Sequence, residues 1–212
     1  MGKENTNLLK TLVLKLLNIT LSHPRIFEWQ QKLCNDYSSI GKEFSGELAG
    51  AGKAILDVGC AGGTCSGQII DMKKNRFIGI DVEARYIERA AKQYPDGKFL
   101  SMDGRKLAFE NNSFDVVLFV GVLHHMNDEL IHDCLKEIHR VVRPEGVVLI
   151  TEPLFTKGCW LSNLLLSFDR GRFIRKKEEY QSLLMNFNIA REGYFEFSRH
   201  RMCSFVLKKA DH

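Results

Sequence analysis

The pattern of hydrophobic and polar residues divides the chain into three parts, of which the first is helical. Over residues 5–21, apolar side chains recur at helical spacing and predict an amphipathic helix. Two further helices are predicted, one from Pro24 to Cys34 and a short one across residues 38–50. The apolar face of the first helix needs a partner, which is the rest of the domain, a second subunit in a homodimer, or a membrane surface.

Short apolar runs alternate with amphipathic segments through the second part, residues 51–153. The runs predict strands at 53–58, 76–81, 98–103, 113–121 and 146–153. The segments between them predict helices at 67–74, 84–94 and 128–142. This alternation is typical of a parallel sheet that is covered by helices on both faces.

The third part departs from that alternation. It predicts helices at 160–168 and 176–187, then strands at 193–200 and 202–209 whose tight connection makes them antiparallel. The predicted fold class is therefore α/β, a doubly wound, mostly parallel seven-stranded sheet with an antiparallel C-terminal hairpin. We expect a single domain with four segments, namely a helical cap (1–50), a core (51–153), a helical insertion (154–188) and the hairpin (189–212).

The composition is that of an ordinary globular protein. The chain has 212 residues, of which 44% are hydrophobic and 26% charged, and this fits one domain. A net charge of +4 is too small to predict nucleic-acid binding. The first apolar run is interrupted by Lys10 and Lys15 and is too short for a bilayer, so no transmembrane segment is expected. Six cysteines without a CxxC pair predict reduced thiols and a cytoplasmic location.

Small residues collect where the first predicted strand ends. In a doubly wound sheet, the ligand lies beyond the carboxyl ends of the strands, so residues at those ends are candidates for binding. Glycines there let a ligand approach the backbone, and the following helix offers free N–H groups to a carboxylate. The loop comprises Asp57, Gly59, Cys60, Ala61, Gly62 and Gly63.

Acidic residues and histidines close the next three strands. Asp81 follows Gly59 by 22 residues, a spacing that suits a carboxylate accepting hydrogen bonds from two ribose hydroxyls. Asp103, in "SMDG", can accept a hydrogen bond from the exocyclic amine of adenine. The fourth strand ends in "FVGVLHH", where Gly121 clears space for a ligand and two histidines lie at the rim.

These motifs resemble the class I S-adenosylmethionine-dependent methyltransferases, in particular small single-domain enzymes with a "D-x-G-C-G-x-G" loop. The resemblance covers residues 52–153 and implies S-adenosylmethionine as the methyl donor and S-adenosylhomocysteine as the product. Ala61 stands where the family commonly has glycine, which implies a less open loop. The implied cofactor contacts are Asp57, Gly59, Cys60, Ala61, Gly63, Asp81, Val82, Met102, Asp103, Gly104, Val120 and Gly121.

Two other classes of protein share parts of this pattern. A dinucleotide-binding oxidoreductase also couples a glycine loop to an acidic residue about 20 positions on. Its G-x-G-x-x-G template requires glycines at 59, 61 and 64, whereas this chain has Ala61 and Thr64. The other class is a catalytically silent protein that keeps the donor fold for binding or as a scaffold.

The predicted reaction is a metal-independent methyl transfer to an oxygen or nitrogen of a small-molecule, sugar or lipid-linked acceptor. His124 and His125 are candidate general bases, because histidine titrates near neutrality; the alternative is that they shape the pocket wall. No metal site is expected, since His132 and His139 fall within a predicted helix. Glu152 either faces the acceptor or has a capping or salt-bridging role.

The most basic window, "DRGRFIRKKEEY", raises the question of an anionic acceptor. Its arginines, Arg170, Arg172 and Arg175, either clamp a phosphate or carboxylate or belong to a solvated loop. The window also resembles a stretch of methyltransferases near surface-glycan biosynthesis, which implies an anionic or glycan-related partner. Nucleic acid is disfavoured, because the Asn/Asp-Pro-Pro-aromatic signature of amino-directed enzymes is missing after the fourth strand. Asp115 is interpreted as a turn residue.

Overall fold

Seven strands form one mixed sheet in the computed structural model, which describes residues 36–156, 163, 166, 172–197 and 200–210. The strands are β1 (Ala54–Val58), β2 (Arg76–Asp81), β3 (Lys98–Ser101), β4 (Phe114–Val120), β5 (Val142–Leu154), β6 (Phe187–Phe197) and β7 (His200–Lys209). Their order in the sheet is β3-β2-β1-β4-β5-β7-β6. The first five strands in that order pair in parallel, and β7 pairs antiparallel with both β5 and β6. The predicted fold class is thereby confirmed.

Helices cover both faces of the sheet. They are α1 (Ser38–Glu43), α2 (Ser45–Leu48), α3 (Thr64–Ile69), α4 (Ala84–Gln93), α5 (Asp128–Val141) and α6 (Lys177–Leu183), with a 3-10 turn at Leu123–His125. One apolar core joins α5 and α6 to the sheet through residues such as Ile131 and Tyr180. A second core joins α1 and α4 to the other face through Ile40 and Ala90. All five residues of β1 are buried between the two cores, which explains why four of them are apolar.

The bounds predicted for the helix at 67–74 were wrong. The helix begins at Thr64, directly after Gly63, which has a left-handed φ of 73°, and it ends where Ile70 turns extended. The Asp71 carboxylate then accepts hydrogen bonds from the backbone N–H groups of Lys73 and Lys74 at 3.2 and 3.3 Å. Such local hydrogen bonds compete with a helix and hold this segment in a turn.

Four further features differ from the predictions. Residues 38–50 contain two short helices, α1 and α2, instead of one. The helix predicted at 176–187 ends at Leu183, and β6 begins at Phe187 and not at 193. β5 begins at Val142, before the predicted start at 146, with a register shift opposite β4.

Several predictions lie outside the described residues. They concern the helices at 5–21 and 24–34 and, apart from the helical residues 163 and 166, the helix at 160–168. Within the described part of the chain, no helix is long and apolar enough to cross a bilayer. The four cysteines there, Cys60, Cys65, Cys134 and Cys203, are free as predicted. The division into a cap, core, insertion and hairpin stays a prediction.

Asp115 ties the sheet together at the amino ends of its strands. One of its carboxylate oxygens accepts a hydrogen bond from the backbone N–H of Ala54 at 2.7 Å, and the other pairs with Arg143. The N–H and the Arg143 guanidinium lower the pKa of this carboxyl against the effect of its partial burial. Asp115 is therefore structural, but it lies within β4 and not in a turn as predicted, at the edge opposite the candidate site.

Candidate active site

The carboxyl ends of the five parallel strands meet at one edge of the sheet, where the chain changes direction between β1 and β4. β1 lies between β2 and β4, so the connections after β1 and after β4 run to opposite sides. A crevice outside the carboxyl ends at such a switch point is where α/β sheets bind ligands. The candidate site therefore consists of the loop after β1, the ends of β2 and β3, and the turn after β4.

The loop after β1 is held close to both neighbouring strands. The backbone N–H groups of Gly59 and Cys60 donate to the carbonyl of Ile80 in β2 at 2.8 and 3.0 Å. Gly59 has a φ of 75°, and a Cβ atom at this position would lie 2.8 Å from the Val122 side chain after β4. Only glycine satisfies both the conformation and the space, so the loop can pass between the two strand ends.

Ala61 is the point where the loop meets the acidic end of β2. Its backbone N–H donates to Oδ2 of Asp81 at 3.0 Å, and its φ of 46° is left-handed. Alanine adopts this region at a cost that glycine avoids. The residue that departs from the glycine pattern therefore keeps the glycine-like conformation.

Replacing Ala61 with glycine is expected to stabilise the protein by about 0.5 to 1 kcal/mol, because relief of left-handed strain exceeds the entropy that glycine adds to the unfolded chain. Urea denaturation measures this change. Ala91, an exposed position in α4, is the matched control, since the same substitution within a helix costs about 1 kcal/mol. Equal destabilisation by both substitutions would contradict the strain at Ala61.

Backbone N–H groups orient both oxygens of the Asp81 carboxylate. Oδ1 accepts from the N–H of Glu83 at 2.9 Å, while Oδ2 accepts from Ala61. A carboxylate oxygen has two lone pairs, so both oxygens retain capacity for a ligand hydroxyl. Next to Asp81, the side chain of Val82 is 74% exposed and offers an apolar surface at the same edge.

The end of β3 is more occupied than the sequence suggests. Met102 packs partly buried against the core, and its N–H donates to the carbonyl of Asp81 at 3.0 Å. Asp103 pairs with Arg105 through both carboxylate oxygens, and hydrogen bonds from Arg105 lower the pKa of the Asp103 carboxyl. Gly104 packs against Val58. A contact between Asp103 and an adenine amine stays a prediction, since Arg105 already holds that carboxylate.

Asp57 is a buried carboxyl beneath the loop. It is 3% exposed and accepts a hydrogen bond from the Ser66 hydroxyl in α3. Burial raises the pKa of Asp57 to about 7, with a further contribution from the nearby Asp81 charge, against the effect of the Ser66 hydrogen bond. The loop therefore contains an ionisable group that titrates near neutral pH.

The turn after β4, residues 122–126, forms the rim of the site, and we call it the rim turn. It follows Val120, which is half-buried, and Gly121, whose N–H donates to the carbonyl of Thr151 in β5 at 2.8 Å. Gly121 has a left-handed φ of 65°. A Cβ atom on Gly121 would lie 3.6 Å from Cε1 of His124, so the His124 ring borders this glycine.

Glu152 holds the rim turn from below. It is fully buried near the end of β5 and accepts the backbone N–H groups of Val122, Leu123 and His124 at 2.9, 2.7 and 3.2 Å. Its Oε2 also lies 2.6 Å from Nδ1 of His124. The salt-bridging and capping alternative for Glu152 is confirmed, because four groups of the turn surround this carboxylate.

The two rim histidines differ in their surroundings. His124 is buried on Glu152, whereas His125 is exposed and lies with its ring centroid 4.1 Å from that of His124. His132 is exposed on α5, and His139 packs edge-on against Phe187. Among the residues that the structure describes, no three histidine, cysteine, aspartate or glutamate side chains are grouped to hold a metal ion.

The sequence reasoning missed the role of Arg175. It was read as a clamp for an anion or as part of a solvated loop, but its side chain is 10% exposed and bonded to the rim turn. The spacing between Arg175 and the rim turn in the sequence does not indicate this contact. An indirect signal was Glu152 itself, a charged residue inside the apolar run "VVLITEP", which needs buried partners.

Comparison with known proteins agrees with this geometry. Residues 55–146 match the family model of a methyltransferase domain. A demethylmenaquinone methyltransferase of Chlorobaculum tepidum is 28% identical over 54% of this chain and 46% of its own length. An O-methyltransferase of Aspergillus nomiae is 32% identical over 55% of this chain and 54% of its own length. The chain thus spans about half the length of these curated relatives.

A solved structure extends the likeness beyond the matched segment. The TehB-like SAM-dependent methyltransferase of Corynebacterium glutamicum superposes with a TM-score of 0.64 at 18% identity, covering 88% of this chain and 95% of that one. At that identity the likeness shows the fold. Residues 55–146 are therefore similar to methyltransferase domains, and the sheet around them has the Rossmann-like fold of such enzymes. Among these, the chain resembles the class I S-adenosylmethionine-dependent methyltransferases.

Proposed function

We propose that the protein transfers a methyl group from S-adenosylmethionine to an oxygen or nitrogen of a small-molecule acceptor. The observation that carries the proposal is the hydrogen bond between Ala61 and Asp81, which brings the glycine loop and the ribose-type carboxylate to one edge of the sheet. A donor that combines an adenosyl group with an amino acid needs both parts together. The names of the relatives support methyl transfer.

The chain fits this donor at the residues that border the crevice. Gly59 and Gly121 leave the backbone bare where a Cβ atom would approach Val122 or His124. The Asp81 oxygens can accept the two ribose hydroxyls, and exposed Val82 offers an apolar surface for the adenine. When bound, the donor supplies a sulfonium methyl group that is already strongly electrophilic. The protein then contributes mainly by alignment, which is worth about 7 to 11 kcal/mol in favourable cases.

His124 is the proposed general base, in preference to His125. A hydrogen bond from Nδ1–H to Glu152 leaves the lone pair of a neutral imidazole on Nε2. The ring borders Gly121 at the end of β4, next to the donor crevice. A base of this kind takes the proton from an acceptor hydroxyl as the methyl group is transferred. His125 is exposed and lies against the outside of the His124 ring.

For the acceptor, we propose a ring-bearing or lipid-linked alcohol or phenol. One relative is named as an O-methyltransferase, which supports an oxygen acceptor, and another is named for demethylmenaquinone, which supports a ring-bearing, lipid-linked molecule. A sugar or an anionic, glycan-related acceptor remains an alternative proposal. A homodimer through the predicted N-terminal helices, which lie outside the described residues, is also an alternative proposal.

A thermal-shift panel with S-adenosylmethionine, S-adenosylhomocysteine, NAD and NADP tests the donor. A ligand that binds only the native state raises its stability by RT ln(1 + [L]/Kd). We expect a rise in Tm with the two adenosyl compounds alone, of several degrees once the ligand is at about 100 times Kd. A rise only with NAD or NADP would instead identify an oxidoreductase.

A catalytically silent protein would also bind the donor, so the second test is turnover. Incubation with S-adenosylmethionine labelled in its methyl group and a panel of quinols, phenols and glycolipids should label one acceptor. His124→Gln should then lower kcat by about 100-fold or more, while His125→Gln leaves it close to the wild-type value. Donor binding without label on any acceptor would favour the silent alternative.

A further inference from the structure

The rim turn lies between two side chains of opposite charge. On one side, the Glu152 carboxylate accepts its N–H groups. On the other side, the Arg175 guanidinium donates to its carbonyl groups, from Nη1 to Leu123 at 3.2 Å and from Nη2 to Met126 at 2.8 Å. The peptide dipoles of a helical turn point their N–H ends and carbonyl ends in opposite directions, so both charges stabilise the same orientation.

Arg175 has no hydrogen-bond donor left for a substrate. A guanidinium has five N–H donors, and Arg175 makes five hydrogen bonds to four acceptor atoms. Besides the two rim carbonyls, they are the carbonyl of Phe173 at 2.9 Å from Nη1 and Oδ1 of Asp128 at 3.1 Å from Nε and 2.6 Å from Nη2. A role as an anion clamp for the acceptor is therefore excluded for Arg175 in this arrangement.

The position of Arg175 is itself fixed by aromatic rings. Its guanidinium carbon lies 5.6 Å from the centroid of Phe173 and 5.9 Å from that of Tyr180. Its backbone N–H donates to the hydroxyl oxygen of Tyr180 at 3.4 Å. Tyr180 is fully buried in α6, and the backbone N–H of Phe173 donates to the carbonyl of His124 at 2.9 Å. Residues 173–175 are thus joined to the rim turn by backbone and side chain.

We infer that Arg175 is a positioning residue of the methyl-transfer site, which holds the rim turn so that His124 stays on Glu152 and beside Gly121. The inference rests on the proposed function of His124 as the base. Arg175 acts through the carbonyls of Leu123 and Met126 and contacts neither donor nor acceptor. Its loss should therefore change the state of the His124 imidazole and not remove a binding group.

The test compares Arg175→Met and Arg175→Lys with Arg172→Gln in full-length protein labelled with ¹⁵N-histidine. Arg172 is exposed in the same segment and is the matched control. In the wild type, the His124 imidazole, assigned with His124→Gln, should show a protonated Nδ1 whose hydrogen exchanges slowly. In Arg175→Met, that hydrogen and the His124 amide should exchange about ten- to a hundredfold faster.

Arg175→Lys provides a second test of the inference if Arg175→Met fails to fold. Lysine supplies a positive charge with three donors at one point, so it can satisfy only some of the acceptors and should give an intermediate exchange rate. Arg172→Gln should leave the His124 signals as in the wild type. Unchanged His124 signals in folded Arg175→Met, or equal changes in Arg172→Gln, would overturn the inference.

Binding of S-adenosylhomocysteine, measured by calorimetry on the same samples, separates this inference from the proposed function. We expect less than about a threefold loss of affinity in Arg175→Met, because the glycine loop and Asp81 are untouched. No binding to the wild type would contradict the proposed function, while the His124 signals still decide whether Arg175 positions the ring. A loss of affinity as large as that of an Asp81 variant would count against a positioning role.

Discussion

Replacing Asp81 with alanine is expected to weaken the binding of S-adenosylhomocysteine by about 100-fold or more. In the proposed complex, this carboxylate accepts two ribose hydroxyls, and a hydrogen bond to a charged group contributes about 1.5 to 3 kcal/mol. The substitution also removes the acceptor for the N–H of Ala61, so the glycine loop loses its link to β2. Calorimetric titration of the variant measures the combined effect.

A ligand variant separates the two causes. The 2′-deoxy analogue of S-adenosylhomocysteine should bind the wild type more weakly than the parent compound, whereas Asp81→Ala should no longer distinguish them. Such a cycle isolates the pairwise contribution of the hydroxyl and the carboxylate. Glu83→Gln is the matched control, because it removes a negative charge from an exposed side chain two residues away. If the two ligands still differ in Asp81→Ala, the assigned ribose contact is wrong.

Replacing Asp57 with asparagine is expected to stabilise the ligand-free protein, and more so at pH 8 than at pH 5. The pKa of Asp57 rises from its ordinary value of 3.8 to about 7 on folding, chiefly through burial. Well below pH 3.8 the carboxyl is neutral in both states and imposes no penalty. As the pH rises to 7, the unfolded chain is ionised while the folded one is not, so wild-type stability falls.

The size of that effect follows from the shift. About three pKa units correspond to about 4 kcal/mol once the pH exceeds the folded-state pKa, of which roughly a third is already present at pH 5. The advantage of Asp57→Asn over the wild type should therefore grow by about 2 to 3 kcal/mol between pH 5 and pH 8. Urea denaturation at the two pH values measures it. Asp96→Asn, on an exposed loop, serves as the control and should show no such growth.

A flat difference between Asp57→Asn and the wild type across this range would contradict the raised pKa. The same variant should bind S-adenosylmethionine less well, because an ionised Asp57 favours a cationic donor nearby. Greater stability together with weaker donor binding is the pattern expected when a strained group serves function. Restored stability without a loss of donor affinity would limit Asp57 to a structural role.

The fold was predictable because the central parallel strands β1, β2 and β4 are buried on both faces. A strand such as Ala54–Val58, which is apolar except for Asp57, has few alternatives once helices flank it. The boundary errors came from local chemistry that apolar periodicity does not register. Gly63 begins α3 early through its left-handed conformation, and Asp71 ends it by binding two backbone N–H groups.

The donor side of the site was easier to predict than the rim. Glycines and carboxylates at strand ends can be recognised in the sequence by their residue type and by their position after an apolar run. The rim depends on the register of β4 against β5, which pairs Val120 with Thr151 and so brings Glu152 beneath residues 122–124. The sequence of one strand does not determine its register against another strand. For the same reason, the contact of Arg175 with the rim turn could not be predicted, because Arg175 lies in a separate segment.

The same rim turn has a consequence for the order in which the site is built. The link between Ala61 and Asp81 spans 20 residues, whereas Arg175 reaches Leu123 and Met126 across 52 and 49. Contacts close in sequence form at a lower entropic cost than distant ones. During synthesis on the ribosome, the donor crevice can therefore assemble while the C-terminal third is still being made. The proposed base His124 acquires its final orientation only when Arg175 has emerged, so the rim turn is the last part of the site to be completed.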